Sequence, residues 1–332
     1  MVRGNKKRKC AILGWAGHHN FGDFLVLRGL QNLFRDWNII SMNDRTIDFD
    51  VVNDCDLFVL GGGELINTNS LFINTPSVCG VHVPLFVHRI MNRAKVFNNI
   101  SWVHRIKVPK VVLGCGVNAE NIGAIDRRVI GELEQFEYIG LRDNTSVEML
   151  KSIPSLADKV HLFYDASFAT NYKPFSNLRL DNTAVVIPTD RQVYGDRGIK
   201  QINMVDESKC WLKKKLEPFS SVVFLPFGQE DNDDYATCKR LLSCSEHSRI
   251  ISPECLTLRF VTNLIANCDM VFSYRLHGLI LAFMLDKKYE FYPYHWKLDR
   301  VSDTIKGRSI DNIKFEQQTE FKNMLLEVGI SD

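Results

Sequence analysis

The feature that most limits what this chain can fold into is a succession of short apolar runs, each closed by glycine or a polar turn. "CAILGWAG", "DLFVLGGGE", "VPKVVLGCGVN", "EYIGLRDNTS" and "VHLFYDASF" come first. "TAVVIPTD", "SVVFLPFGQ", "SRIISPE", "DMVFSYRLHG" and "YEFYPYHWK" follow. Most are continuously apolar, the pattern of strands covered on both faces. Segments of helical period lie between many of them: "DFLVLRGLQNLFRDW", "SVEMLKSI", "LTLRFVTNLIANC" and "LILAFMLDKK". Buried strands alternating with helices predict an α/β fold on parallel sheets. The alternation restarts after "NYKPFSNLRLDN", which reads as a linker, so two α/β domains are expected. We place them at residues 1–175 and 182–310, with 311–332 as a final amphipathic helix.

Composition excludes several classes. With 332 residues, 45% hydrophobic and 24% charged, the chain has ordinary globular make-up. A net charge of +2 gives no ground for a nucleic-acid partner. The nine cysteines form no CxxC pair and no zinc spacing, which points to free thiols in a reducing cytoplasm and to no metal site. No stretch approaches the roughly 18 apolar residues of a membrane span, and "CAILGWAG" is too short for a signal peptide. The chain reads as soluble, or at most peripheral.

Candidate chemistry clusters at the ends of the apolar runs, where open α/β sheets gather their ligands. In "GWAGHHNFGD", glycines would bring backbone amides close to an anion, or simply form a tight turn with Asp23 as helix cap. "LGGGELIN" sets Gly61, Gly62 and Gly63 before Glu64 at an expected strand tip. "GLRDNTSVEML" puts Arg142 between strand and helix, with Thr145 and Glu148 as an expected capping box. Arg142 offers a planar fork for carboxylate or phosphate, or pairs with a neighbouring acid. "SYRLHG" is the sharpest: on an extended strand Arg275 and His277 would face the same way, one a cation and one a proton carrier. Lys297 in "PYHWK" is a further cation for the same place. "GQEDNDDY" reads as a solvated turn leading into a helix N-terminus, without coordination spacing for a metal.

Taken together, "GHHNFGDFLVLRGL", "DLFVLGGGELIN", "VVLGCGVN", "YIGLRDNTSVEML", "FYDASF", "MVFSYRLHGLILAFML" and "YHWK" resemble the polysaccharide pyruvyl transferase family in order and spacing. The resemblance implies two Rossmann-like domains in a glycosyltransferase-B-like arrangement with a cleft between them. It places the acceptor with the N-terminal domain, the donor with the C-terminal one, and lets the last helix pack back. It implies metal-independent transfer of pyruvate from phosphoenolpyruvate to two sugar hydroxyls as a ketal, in capsule or exopolysaccharide precursor synthesis, with no cofactor beyond that donor. Under it, His277 is the general acid, and Glu64 or Asp23 takes protons from the acceptor. Arg275, Arg142, Lys297, Asn20, Gly61, Gly62, Gly63 and Gly116 bind substrate. Ala166 stands where many relatives have proline, and Val117–Asn118 where a more glycine-like continuation is expected.

Residues 65–119 contain no Asp or Glu but six Lys or Arg and three His, interleaved with Phe72, Phe86, Phe97 and Trp102. Such a face would suit a lipid-diphosphate-linked acceptor at the inner leaflet of the cytoplasmic membrane. The competing reading of this stretch is a buried helix pair with ordinary solvated cations. Against the whole functional reading stand a glycosyltransferase of the same shape using a nucleotide-sugar, and a non-catalytic scaffold.

Overall fold

The structure is a computed structural model that describes residues 7–14, 20–43, 47–68, 70–71, 77–78, 81–82, 102–174, 179–189, 204–228 and 234–330. The chain divides into two compact units. The first comprises residues 1–16, 29–166 and 315–332; the second comprises 17–28 and 167–314. The expected boundaries therefore need correcting, because residues 17–28 leave the N-terminal domain for the second unit.

The reason is apolar. Helix α1 (Phe21–Leu33) follows strand β1 (Lys9–Leu13). Its first side chains Phe21 and Leu25 are buried in the second unit's core beside Val185, Ile187, Leu225, Phe227 and Leu281. Burying two such side chains is worth about 3–6 kcal/mol, enough to fix where the segment goes. Phe21 also donates its backbone N–H to Phe227 O at 2.8 Å and packs its ring 4.8 Å from that of Phe227.

The first unit continues with β2 (Asn38–Met42), α2 (Phe49–Asn53), β3 (Leu57–Asn67) and a short antiparallel pair, β4 (Ser77–Val78) with β5 (Val81–His82). Then come β6 (Lys110–Asn118), α3 (Arg127–Leu133), β7 (Tyr138–Leu141), α4 (Asn144–Lys151) and β8 (Val160–Leu162). The main sheet has order β2-β1-β3-β6-β7-β8, every neighbouring pair parallel. β2 is absent from the runs recognised in the sequence. It is an edge strand in which only Met42 is buried, so it lacks the apolar run that marks its neighbours.

The second unit is built from β9 (Thr183–Ile187), α5 (Met204–Leu216), β10 (Ser221–Phe224), α6 (Asp234–Leu241) and β11 (Ser248–Ile250). It ends with α7 (Leu258–Asn267), β12 (Met270–Ser273), α8 (Leu276–Met284), β13 (Lys288–Phe291) and α9 (Trp296–Ile305). Its sheet runs β11-β10-β9-β12-β13, all parallel. The chain winds from β9 outward one way, then returns to β12 on the other side. That reversal makes the sheet doubly wound and Rossmann-like, with its natural ligand crevice outside the carboxyl ends of β9 and β12.

The last helix, α10 (Ile310–Glu327), counts with the first unit from Phe315 onward. There Gln317, almost wholly buried, donates its side-chain amide to Phe163 O and Asp165 O, both at 3.0 Å. Tyr164, in the left-handed region at φ 64°, bonds Glu316 through its hydroxyl. Among the described residues, no helix is long and apolar enough to cross a membrane.

Candidate functional site

In the second unit the chemistry gathers at the strand-order reversal. β12 stops at Ser273, whose hydroxyl accepts the Arg275 N–H at 3.1 Å and donates to Arg275 O at 2.7 Å. That turn makes Arg275 the extended N-cap of α8, at φ −111° and ψ 136°. The expectation that Arg275 and His277 share one face of a strand is thus corrected: the strand has ended, and His277 lies in the first turn of a helix.

Arg275 is buried against Asp234, the first residue of α6. Its Nη2 donates to Asp234 Oδ1 at 2.6 Å, and its Nε lies 2.6 Å from Oδ2. Asp234 Oδ2 also accepts the Gly228 N–H at 2.7 Å. Burial pushes the Asp234 carboxyl above the ordinary carboxylate range, while Arg275 and the Gly228 amide pull it back. Burial pulls the Arg275 guanidinium down, but Asp234 outweighs it and the net direction is up, with Tyr294 and Asp23 contributing at longer range. "GQEDNDDY" reads in the sequence as a solvated turn leading into a helix N-terminus; the helix does start at Asp234, but that residue has no exposed surface.

His277 meets the segment that leaves β1. Asn20 bridges to Gly228, and its Oδ1 accepts the Gly22 N–H at 2.9 Å. Asn20, rather than Asp23, therefore takes the capping position, and Asp23 falls within the first turn of α1. The His277 ring lies on Gly22 so closely that a Cβ there would be 2.2 Å from Nδ1 and 2.9 Å from Cγ. Only glycine leaves room for the imidazole. Lys297 lies in the same unit, buried in the first turn of α9, where the His295 ring caps its N–H at 3.3 Å.

The first unit holds a second constellation. β3 and β6 run straight through their glycines, with register shifts in the pairing, so Gly61, Gly62, Gly63 and Glu64 belong to a strand and not to a loop. Gly62 and Gly63 both have φ 78°. Arg142 follows β7, and its guanidinium lies flat on Gly116, where a Cβ would come within 2.5 Å of Nε. Arg142 Nη2 donates to Glu64 Oε1 at 3.2 Å, with Asp143 Oδ2 3.9 Å from Nε. The cap of α4 is Asp143, not the expected Thr145–Glu148 box. Its carboxylate accepts from Ser146 N at 2.8 Å and from Ser146 Oγ at 2.9 Å, and Ser146 Oγ accepts from Val117 N at 3.1 Å. Asn118 donates to Asn67 Oδ1 at 3.1 Å.

The structure thus brings Asn20, Asp23, Arg275, His277 and Lys297 into one unit, and Gly61–Gly63, Glu64, Gly116 and Arg142 into the other. Sequence reasoning missed Asp234, whose cue was an acid at the expected start of a helix among several others. Most of the basic stretch 65–101 lies outside the described residues. Of its described end, Trp102 packs on Phe58 and donates to Leu71 O at 3.2 Å, and Arg105 covers the Phe49 ring at 3.8 Å. These two side chains serve the fold's own packing.

The polysaccharide pyruvyl transferase family model matches residues 20–288, most of the chain. The protein belongs to that family. Comparison with curated proteins found no match. Among solved structures the chain is similar to an uncharacterised protein from Klebsiella pneumoniae subsp. pneumoniae NTUH-K2044 (16% identity, TM-score 0.47, covering 90% of this chain and 87% of that one). It is also similar to a putative UDP-N-acetylglucosamine 2-epimerase from Listeria monocytogenes (9%, 0.48, 98% and 91%). A third is the UDP-GlcNAc 2-epimerase from Neisseria meningitidis bound to UDP-GlcNAc (14%, 0.48, 98% and 94%).

Proposed function

We propose that the protein moves pyruvate from phosphoenolpyruvate onto two hydroxyls of a sugar as a ketal, with the second unit handling the donor. Family membership supports a transferase whose acceptor is a polysaccharide or its precursor. The observation that carries the donor assignment is the meeting of the Asn20–Gly22 turn with His277 at the strand-order reversal of the second sheet.

The chemistry divides into balanced steps. His277 gives a proton to the methylene carbon of phosphoenolpyruvate, which becomes a methyl group and leaves C2 as an oxocarbenium-like centre. One sugar hydroxyl attacks C2 and loses its proton to a carboxylate, for which Asp23 or Glu64 is proposed. The C2–O bond to phosphate then breaks, the second hydroxyl closes the ketal and gives its proton to the departing inorganic phosphate, and the proton held by the carboxylate restores His277 through solvent. The donor's two anionic groups call for cations and aligned N–H groups. Lys297 and the remaining Nη donors of Arg275 are proposed for this in the second unit; Arg142 on Gly116, in the first, is proposed as a further substrate contact. We place the acceptor on a lipid diphosphate; failure to co-sediment with anionic vesicles at low salt would remove that part.

The test is phosphate release and mass of the product with phosphoenolpyruvate and sugar acceptors, for wild type and His277→Ala. His277→Ala is expected to lose about 10²–10⁴-fold in kcat with its melting temperature retained. Stabilisation of the wild type by a nucleotide-sugar and not by phosphoenolpyruvate would overturn the reading. At 100 times the Kd, a bound donor stabilises by about 2.7 kcal/mol, well within range of a melting experiment.

A further inference from the structure

We propose that Asp234 is a positioning residue of this reaction, holding both halves of the donor site through one carboxylate. This rests on the pyruvyl-transfer reading above. The two motifs that supply the site, "NFGD" and "SYRLHG", lie some 250 residues apart in sequence. Asp234 bonds a partner of each. Its Oδ1 accepts from Arg275 Nη2 at 2.6 Å, and its Oδ2 lies 2.6 Å from Arg275 Nε as an ion-pair contact. With Oδ2 it also takes the Gly228 N–H at 2.7 Å, and its own N–H returns to Gly228 O at 3.2 Å. Gly228 in turn bridges Asn20, and Asn20 fixes the turn at Gly22 on which His277 lies.

The consequence for Arg275 is specific. A guanidinium has five N–H donors; Nη2 already donates to Asp234, and Nε is held against the same carboxylate at ion-pair distance. Arg275 can meet the donor only with its remaining Nη edge, in an orientation that Asp234 sets. The carboxylate is itself wholly buried, so it acts through Arg275 and Gly228 and touches no substrate.

The experiment is steady-state kinetics of the full chain with phosphoenolpyruvate, alongside melting temperature, for wild type, Asp234→Asn, Arg275→Ala and the double variant. Asp234→Asn is expected to raise KM for phosphoenolpyruvate and lower kcat/KM by about 10²-fold, the scale of a misplaced site. The double variant should be no worse than Arg275→Ala alone, because both changes break the same strut. A merely structural Asp234 would lower yield and melting temperature while the folded fraction kept the wild-type KM; that result overturns the proposal, as do effects that multiply in the double variant. If Asp234→Asn does not fold, Asp234→Glu, which keeps the charge and moves it by one methylene, carries the same expectation and the same overturning result. A wild type inert toward phosphoenolpyruvate sinks the pyruvyl-transfer reading and this proposal with it. Turnover by the wild type with an unchanged KM in the variants sinks the proposal alone.

Discussion

Two arginines, one in each unit, look interchangeable in the sequence and are built differently. Arg142 and Arg275 both follow the last residues of a parallel strand, both are buried and both face a carboxylate. Arg275 is clasped on one edge at 2.6 Å by an acid with no exposed surface. Arg142 makes one longer contact, 3.2 Å, to Glu64, whose side chain is 13% exposed, while its other neighbour Asp143 is engaged in capping α4. The first is braced by its acid and held in one orientation. The second is a guanidinium laid on a glycine, with a partner acid that keeps some contact with water. Strand-end position alone does not distinguish these roles; the burial of the partner acid does.

The sharpest way to break that distinction is to remove each charge. Arg275→Met leaves Asp234 buried without its partner, and loss of one member of a buried pair costs about 3–5 kcal/mol. Arg142→Met leaves Glu64 with access to water and should cost nearer 1–3 kcal/mol, the range of a lost hydrogen bond to a buried group. Chemical denaturation of the two variants measures both. Equal losses would show that Arg142 is as much a strut as Arg275.

The glycines sharpen the comparison from the other side. Gly22→Ala places a Cβ 2.2 Å from His277 Nδ1, and the ring, being a side chain, can swing away without moving the backbone. We expect kcat to fall about 10²-fold with little change in melting temperature. Gly116→Ala displaces the Arg142 guanidinium in the same manner, from 2.5 Å. If Arg142 meets substrate, that variant raises KM with kcat less affected. Wild-type kinetics for Gly22→Ala would mean that the His277 position seen here is not the working one.

Much of the fold was legible because continuous apolar strands announce themselves. "DLFVLGGGE" and "VPKVVLGCGVN" became the two central strands of the first sheet, and "DMVFS" became β12. The edge strand "NIISM" was not, since a half-exposed strand carries no such run. The expected glycine loop at Gly61–Gly63 proved to be strand, because glycine marks close approach as readily as a turn. The site was legible as a set of residues but not as an arrangement. Nothing in the linear order says that Phe21 and Leu25 prefer the second core, and so Asn20 and Gly22 were assigned to the wrong domain. Asp234 was hidden for a related reason: an acid at a helix start is ordinarily exposed, and only the partner 41 residues on explains its burial.

The smallest effect separates the units by their thiols. Cys115 in the first unit and Cys268 in the second are both buried, and burial pushes each thiol from 9.0 up to about 12. For Cys115 the Arg142 charge pulls the other way; for Cys268 the Lys287 charge does. The folded value lies above the unfolded one, so the folded state favours the protonated thiol. Its contribution is fully present below about pH 9 and is lost as pH rises toward 12, at about 1.4 kcal/mol per pH unit for each thiol. Cys115→Ala and Cys268→Ala should each flatten the alkaline fall in stability by one such increment, measured by denaturation at a series of pH values. Arg142→Met should push Cys115 higher still and extend the loss to higher pH, whereas Arg275→Met should leave that limb of the profile unchanged. An Arg142→Met profile that levels off near pH 12 as the wild type does would mean that the Arg142 charge is neutralised by Glu64 as fully as Arg275 is by Asp234, and the contrast between the two arginines would fail.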